Sequence, residues 1–411
     1  MKTLSKSRFV SGVQCEKKLW YSYYRKDLQL PTDEQTQAIF DLGHQIGNLA
    51  QNRFPNGKDA TPEDFSDFSP SIEKTKLWIA EEVETIYEAT FTAKNALCML
   101  DILHRMNDEV WAIEVKNSTS VKDYHLTDAS LQYFVMKEAG YAPDKFFLMH
   151  INNQYIKNGE LTDEFFHLED ITDKVLSKQT WVEENLERLL VMLENKQEPN
   201  ISIGAHCSSP FACDFVHHCW KHIPENSVFE LYRGGNKAWE LYEQGILKIE
   251  DIEDDFPLTH FQHLQRKGLR NQEQYINKEA IKNMISSWQF PLYFFDFETV
   301  FPAIPVLDGT RPYQQVPFQY SLHILEEDGK LSHKEFLAHP EDFSNGKNPL
   351  KLLVEQLKQD FGTDGNIVTY NQSFEVARLN ELANMFPEDA PFLKNLVSRV
   401  VDLLPVFQGG F

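Results

Sequence analysis

The chain has 411 residues, enough for two or three domains with their own cores, and its 42% apolar and 25% charged content is that of an ordinary globular protein. No run of eighteen apolar residues exists and the N-terminus "MKTLSKSRFVSGVQ" has no apolar h-region, which excludes a membrane span and a secretory signal and makes the cytoplasm the expected compartment. The net charge of −22, taken alone, argues against a polyanionic partner and reads as a solvated acidic surface, unless carboxylates are used to hold cations and the basic residues are kept local.

Taken in chain order, residues 1 to 90 read as helices. "LSKSRFVSGVQCEKKLWYSYY" is amphipathic with Cys15 in its middle, and the next segment carries Phe40, His44 and Gly47 on one helical stripe. Residues 89 to 117 switch to period two as "ATFTAKNALCMLDIL" and "VWAIEVKN", with a turn at Asn107-Asp108-Glu109. "DASLQYFVMKEAG" predicts a helix ending at Gly140, "KFFLMHIN" a strand, and "KVLSKQTWVEENLERLLVMLEN" one long helix. This strand–helix–strand order indicates an α/β core. Residues 224 to 288 read as short helices without strands, either a plain spacer or pieces that touch a nucleic-acid backbone. Strands resume at "FPLYFFDFETV", followed by a hairpin at Asp328-Gly329 and a strand-into-helix segment "NIVTYNQSFEVARL".

Three groups of residues carry chemistry. In a strand, residues i and i+2 share a face, so Glu114 and Lys116 point the same way, and pairing across the turn brings Asp101 towards Glu114. Two converging carboxylates make a hard-oxygen site suited to Mg²⁺ or Mn²⁺. A lysine beside them orients or deprotonates a water and neutralises charge developing on a phosphate. A Glu-x-Lys triplet alone is equally a charged hairpin on a solvated face. Its context is a helix with His44 upstream and a helix with Gln132 and Tyr133 downstream. In that order the segment resembles the PD-(D/E)XK nucleases, in the RecB-like branch that includes the CRISPR-associated Fe–S nucleases. The resemblance implies a restriction-endonuclease-like core with His44, Asp101 and Glu114 as metal ligands, Lys116 and Gln132 completing the catalytic set, and Glu88 as an accessory acid. His44 also reads as a core-facing helical histidine. The family helix often runs Gln-x-x-x-Tyr; here position 136 is Met136, and Tyr133 lies on another face.

Cys207, Cys213 and Cys219 are spaced by five residues each, and Cys15 lies far upstream. A cytosolic chain of this length is not expected to use them as disulfides. Four thiolates suit zinc or a [4Fe–4S] cluster, and the tight C-x2-C knuckle that zinc favours is missing. One N-terminal cysteine with a C-terminal trio is the pattern of the Fe–S nucleases just named, though their trio is commonly C-x2-C-x5-C. A cluster is therefore the expectation and zinc the alternative. A cluster would also close a very long loop and staple the domain. Cys98 reads as a small buried hydrophobe, and His206, His217, His218 and His222 as loop surface or spare ligands.

The third group is Asp296 and Glu298 in "YFFDFETV", two apart and flanked by aromatic residues. On a buried central strand such a pair is costly unless it binds cations, and acids bridging two metals ~4 Å apart serve phosphoryl hydrolysis. An edge strand with a solvated acidic tip is the plainer alternative. The segment resembles the DEDD exonucleases of the ribonuclease-H-like fold. Their second motif maps onto Asn371, Phe374 and Glu375, with glutamate for the usual aspartate, and a following acidic strand onto Asp402. The resemblance implies a fourth acid beyond position 411, so this domain is expected to be incomplete at its C-terminus. The expected architecture is thus α/β: a restriction-endonuclease-like core over 1–223, a helical connector over 224–288, and a partial ribonuclease-H-like domain over 289–411. The expected activity is Mg²⁺- or Mn²⁺-dependent hydrolysis of nucleic acid, DNA rather than RNA, with a [4Fe–4S] cluster. A non-catalytic nucleic-acid-binding or zinc-stabilised scaffold is the rival. The residues indicate neither a membrane nor a protein partner.

Overall fold

The structure, a computed structural model, describes residues 2–344 and 347–408. It is a mixed α/β protein with two mixed sheets, and its chain divides into two compact units, Met1–Tyr155 with Leu161–Ile223, and Ile156–Glu160 with Pro224–Phe411. Among the described residues no helix is long and apolar enough to cross a membrane.

The first unit runs β1 (Leu4–Ser5), α1 (Lys6–Gln14), α2 (Glu16–Tyr24), α3 (Glu34–Gln51), β2 (Lys58–Asp59), α4 (Ser69–Ala80), β3 (Thr85–Ala93), β4 (Ala96–Met106), β5 (Glu109–Lys116), α5 (Asp123–Glu138), β6 (Lys145–Ile151), β7 (Phe166–Asp170), α6 (Thr172–Leu176), α7 (Gln179–Glu194) and α8 (Val216–Cys219). Its sheet has the order β2-β3-β4-β5-β6-β7, and β1 adds in parallel to β4. The period-two stretch is a three-strand meander, because Lys94-Asn95 and Asn107-Asp108 are both two-residue turns with positive φ at each position. Such turns match the right-handed twist of the strands they join. β5 and β6 run parallel, connected through α5. That helix is buried on nearly every side, so its apolar residues show no single stripe. Leu100, Leu103, Ala112, Leu131, Val135, Leu148, Val182 and Leu189 fill the core between sheet and helices.

Four local readings change. The first amphipathic stretch is two helices, interrupted where Cys15 takes an extended backbone of φ −163° and ψ 117°. The long helix after residue 170 is likewise two, α6 and α7. β7 is an edge strand too short and polar to announce itself by alternation. On α3 the stripe that turns inward carries Ile46 and Ala50, while Phe40 and His44 are exposed.

The second unit begins with α9 (Asn236–Glu243), α10 (His260–Asn271) and α11 (Lys278–Ile285), the helical connector; Val228, Leu231, Leu241, Ile249 and Ile252 give it a small core. It continues with β8 (Leu292–Val300), β9 (Val316–Leu325), β10 (Leu331–Leu337), α12 (Pro340–Ser344), α13 (Pro349–Asp360), β11 (Ile367–Thr369), α14 (Ser373–Met385), α15 (Ala390–Ser398), β12 (Val400–Asp402) and α16 (Leu404–Gln408). The sheet order is β10-β9-β8-β11-β12, antiparallel from β10 to β8 and parallel from β8 to β12. β8 is central, as expected, but its two faces differ. Tyr293, Phe295 and Phe297 enter the core while Asp296 and Glu298 are exposed. The expectation of a buried acid pair is corrected: a central place in the hydrogen-bonding order does not cover both faces of a strand.

Candidate functional site

In the first unit, Leu103 of β4 pairs with Ala112 of β5, so the period of two puts Asp101, Glu114 and Lys116 on one sheet face. Glu114 is 1% exposed and is the centre of a network. Its Oε1 accepts from Lys116 Nζ at 2.6 Å and from Lys6 Nζ at 2.8 Å, and its Oε2 accepts from Gln132 Nε2 at 2.8 Å. Lys116 Nζ also donates to Asp128 Oδ2 at 2.7 Å. Asp101 Oδ2 accepts the Val115 backbone N–H at 2.6 Å. Glu88 stands where the β3–β4 pairing is interrupted between Tyr87 and Ala89, with a left-handed φ of +53°. A non-glycine residue there is strained, which is common where a side chain must be aimed.

The charges in this face are unevenly satisfied. Burial opposes ionisation of Glu114, but Lys116 and Lys6 beside it overcome that and hold its carboxyl well below the usual range. Burial, with Glu114 adding repulsion, pushes Asp101 up to about 7. Burial and then Asp101 push Glu88 up to about 8. Burial would lower the Lys116 ammonium, yet Asp128 and Glu114 more than offset it and raise its pKa above the usual value. Burial, followed by Lys116, pushes His125 at the start of α5 down to about 4. The buried Asp128 Oδ1 and Gln132 Oε1 have no hydrogen-bond partner among the described residues. Crowded carboxylates with raised pKa values and orphaned acceptors are the donor chemistry a hard divalent cation satisfies, so these residues fit Mg²⁺ or Mn²⁺.

The structure therefore brings together Asp101, Glu114, Lys116 and Gln132, with Glu88 alongside. His44 lies on α3, which packs beside β5, but its side chain is exposed and makes no hydrogen bond or ion pair with the cluster. Tyr133 and Met136 are buried in the core. Sequence reasoning missed Lys6 and Asp128. Asp128 lies four residues before Gln132, hence on the same helical face, and that spacing was the available signal. Lys6 had none, since it arrives from 108 residues away behind the two-residue strand β1.

Cys15, Cys207, Cys213 and Cys219 line one cavity together with Lys17, Lys18, Tyr21, His206 and Phe215. Burial raises the thiols of Cys213 and Cys219, and the nearness of Cys15 and Cys207 adds to it in both. The break between α1 and α2 turns Cys15 towards this loop, and Gln14 Nε2 donates to the carbonyls of His206 and Phe211, each at 2.7 Å. Among the described residues no three of these sulfurs lie within 4.8 Å of one another. Four thiols lining one cavity are a donor set for zinc or for an iron–sulfur cluster. Cys98 is a fully buried core residue of β4; burial pushes its thiol up to about 12, and its Sγ lies 3.9 Å from the Gln132 carbonyl.

In the second unit, Asp296 and Glu298 sit in the second half of β8, Glu375 in the first turn of α14 after β11, and Asp402 at the end of β12. All lie towards the carboxyl ends of the parallel strands, where open α/β sheets bind ligands. Glu375 is buried, its Oε2 has no partner among the described residues, and burial with the charges of Asp296 and Asp402 pushes it up to about 7. Asp402 is differently employed. Its Oδ1 accepts from the backbone N–H of Asn371 and of Leu404, each at 2.8 Å, and its Oδ2 from Gln372 N–H at 3.1 Å, which holds Asn371 at a φ of +68°.

Residues 293–411 match the family described as a domain of unknown function, DUF2779. Part of the chain is similar to the uncharacterized protein MG366 of Mycoplasma genitalium, at 29% identity over 120 residues that cover 28% of this chain and 18% of that protein. Its homolog in Mycoplasma pneumoniae is 32% identical over 121 residues, again 28% of this chain and 18% of the relative. The uncharacterized protein UU173 of Ureaplasma parvum is 29% identical over 136 residues, 31% of this chain and 19% of the relative. The chain thus spans less than a fifth of the curated relatives it matches. Among solved structures, that of SSO0001 aligns with 53% of this chain and 85% of its own at 13% identity and a TM-score of 0.27.

Proposed function

We propose that this protein is a metal-dependent nuclease that hydrolyses phosphodiester bonds at the Asp101–Glu114–Lys116 centre. The observation that carries the proposal is the buried network around Glu114, in which two lysines and a glutamine hold one carboxylate while burial and carboxylate repulsion outweigh the attraction that Asp101 and Glu88 receive beside it. A site built for stability alone would pair those acids, because an unpaired buried charge is costly. When bound, Mg²⁺ or Mn²⁺ would polarise the phosphate and acidify a water. Asp101 and Glu114 would hold it. Gln132 fixes the Glu114 rotamer through the other oxygen. Asp128 and Glu114 favour the charged form of Lys116, so it would serve as a positive charge for the developing phosphorane and an orienting donor for water. DNA, and single-stranded ends in particular, is the substrate class that the sequence resemblance implies.

The four thiols, which line one cavity, would hold a [4Fe–4S] cluster in this reading, as the sequence resemblance implies. In the second unit Asp296, Glu298 and Glu375 would form a second cation site, by resemblance an exonuclease centre. Asp402 braces the turn before α14 there, its two oxygens accepting the backbone N–H groups of Asn371, Gln372 and Leu404. The test is cleavage of end-labelled single-stranded DNA with Mn²⁺ after anaerobic purification, comparing wild type, Lys116→Ala and Glu298→Ala. Loss of cutting in Lys116→Ala with retention in Glu298→Ala assigns the chemistry to the first unit. A wild type that retains DNA and cuts nothing removes the enzyme proposal and leaves a nucleic-acid-binding scaffold.

A further inference from the structure

One group of ligating side chains stands apart from the three sites above. On β6 and β7, which pair antiparallel, His150 is opposite His167 and Leu148 is opposite Glu169. Residues directly opposite share a face, and so do residues two apart, so His150, His167 and Glu169 all project from the same side of the sheet. One ligand atom from each lies within 4.8 Å of the other two, the single such trio among the described residues. His150 Nε2 is 3.9 Å from Glu169 Oε2, and the two imidazole rings are 5.1 Å apart.

We propose that His150, His167 and Glu169 bind a borderline divalent cation, Zn²⁺ in the first place, with a position left open to water. Three observations support the assignment beyond the grouping itself. His150 is 6% exposed, and its Nδ1 lies 3.1 Å from the Ile151 carbonyl oxygen. An Nδ1–H donated there fixes the tautomer that presents a bare Nε2 to the other two residues, which is how metal-ligating histidines are oriented. His167 is exposed and Glu169 half-exposed, so both rotamers are free to close the remaining distance to the ~3.3 Å between ligands of tetrahedral zinc. Exposure on that side also leaves room for a fourth ligand. Lys174 Nζ sits 2.8 Å from Glu169 Oε1. That pair is half-exposed and weak, and it leaves Oε2 available.

The donor set separates this site from the acidic one. Two imidazoles with one carboxylate select zinc and its transition-metal neighbours, whereas Asp101 and Glu114 offer only hard oxygens suited to Mg²⁺ or Mn²⁺. The two sites are neighbours nonetheless. His150 pairs in register with Lys116 across β5 and β6, one strand spacing of ~4.8 Å. Zinc at the edge of the sheet therefore shares its face with the lysine of the acidic cluster and ties the edge strand β7 to β6.

The test is zinc binding to the full chain, independent of any activity. Protein purified anaerobically and stripped with a mild chelator is dialysed against Zn²⁺; metal content and the zinc X-ray absorption edge are then read for wild type, His167→Ala, Glu169→Gln and Glu114→Gln. The expected result is one equivalent of zinc in a nitrogen–oxygen shell for wild type and Glu114→Gln. That equivalent is lost in His167→Ala and held at least about tenfold more weakly in Glu169→Gln. His167 is exposed on an edge strand, so far-UV circular dichroism should be unchanged; if it is not, Glu169→Gln alone decides. Equal zinc content in wild type and both β7 variants overturns the proposal. So does zinc found only on sulfur, or a loss shared equally by Glu114→Gln.

Discussion

Lys116→Ala tests whether the lysine is there for the fold or for the chemistry. The substitution removes a 2.6 Å contact to Glu114 and a 2.7 Å contact to Asp128. Glu114 keeps Lys6 and Gln132, each at 2.8 Å, and so remains compensated. Asp128 does not: among the described residues Lys116 is its one side-chain hydrogen-bond partner, and its other oxygen is already without one. Removing one partner of a buried pair costs ~3–5 kcal/mol, and the 12% exposure of the Asp128 side chain places this case at ~2–3 kcal/mol. Neutralising the stranded acid in Lys116→Ala/Asp128→Asn should recover ~1–2 kcal/mol of that, because the two positions are coupled. Cleavage behaves otherwise. Loss of a preorganised charge at the reacting phosphate lowers the rate by ~10²–10³-fold, and the second substitution supplies no charge. Urea unfolding midpoints and cleavage rates at saturating Mn²⁺ on equal amounts of folded protein are the two readouts. Recovery of stability without recovery of cutting is expected. Recovery of both would refute the catalytic role and make Lys116 a structural counter-ion; recovery of neither would refute the stated reason for the destabilisation.

Burial raises Asp101 to about 7 and Glu88 to about 8, so the folded state holds protons that the unfolded chain, at ordinary carboxylate values, has released. Stability without divalent cation should therefore fall as pH rises from about 4 to 8, and saturating Mg²⁺ should flatten the slope; urea midpoints at pH 5.5 and 8.5 that are equal without metal would count against it. Anaerobically purified wild type should show the broad visible absorbance of an Fe–S protein and four irons per chain, lost in Cys15→Ser and Cys213→Ser. One zinc per chain held on the same thiols would defeat that expectation. Cys98→Ala should keep the iron and cost only ~1 kcal/mol in unfolding, since it vacates one small core position. Glu375→Gln should leave stability unchanged near pH 4, where the carboxyl is protonated in both states, and raise it at pH 8.5, because burial pushes that carboxyl up to about 7 in the folded chain. A fall at the higher pH would mean that the charged form is favoured there.

What the chain discloses about itself depends on how local each signal is. Asp101, Glu114 and Lys116 were legible because alternation and one hairpin turn fix them within sixteen residues. The trio Cys207, Cys213 and Cys219 was legible from spacing, and Cys15 joined it through the family resemblance. The helical break at Cys15 was not, since the apolar period carries on across it and only the tertiary position of the loop explains an extended residue there. Lys94-Asn95 passed unnoticed because the two strands it joins keep the same polarity pattern on both sides. His44 illustrates the opposite error. A helical stripe shows which residues share a side of α3, but not whether the sheet lies on that side, and the covered residues proved to be Ile46 and Ala50. Asp296 and Glu298 show the same limit in a strand. Their aromatic neighbours describe one face of β8, and the acids lie on the other, which is open.

The N-terminal helix is where these local signals meet. α1 is nine residues long, ~13 Å of rise, with a chemically committed residue at each end. Its first residue, Lys6, reaches Glu114; just past its last, Cys15 joins the thiol cavity, and Gln14 is fastened to the same loop through His206 and Phe211. β1 anchors the other end of the helix by pairing Leu4 and Ser5 with Ala96 and Leu97 of β4, the strand that carries Asp101. A helix clamped at both ends transmits position more faithfully than a loop would. Whatever fixes the four sulfurs therefore also fixes one of the two cations on Glu114, and the lysine that sequence reasoning missed is the physical link between the two sites it found.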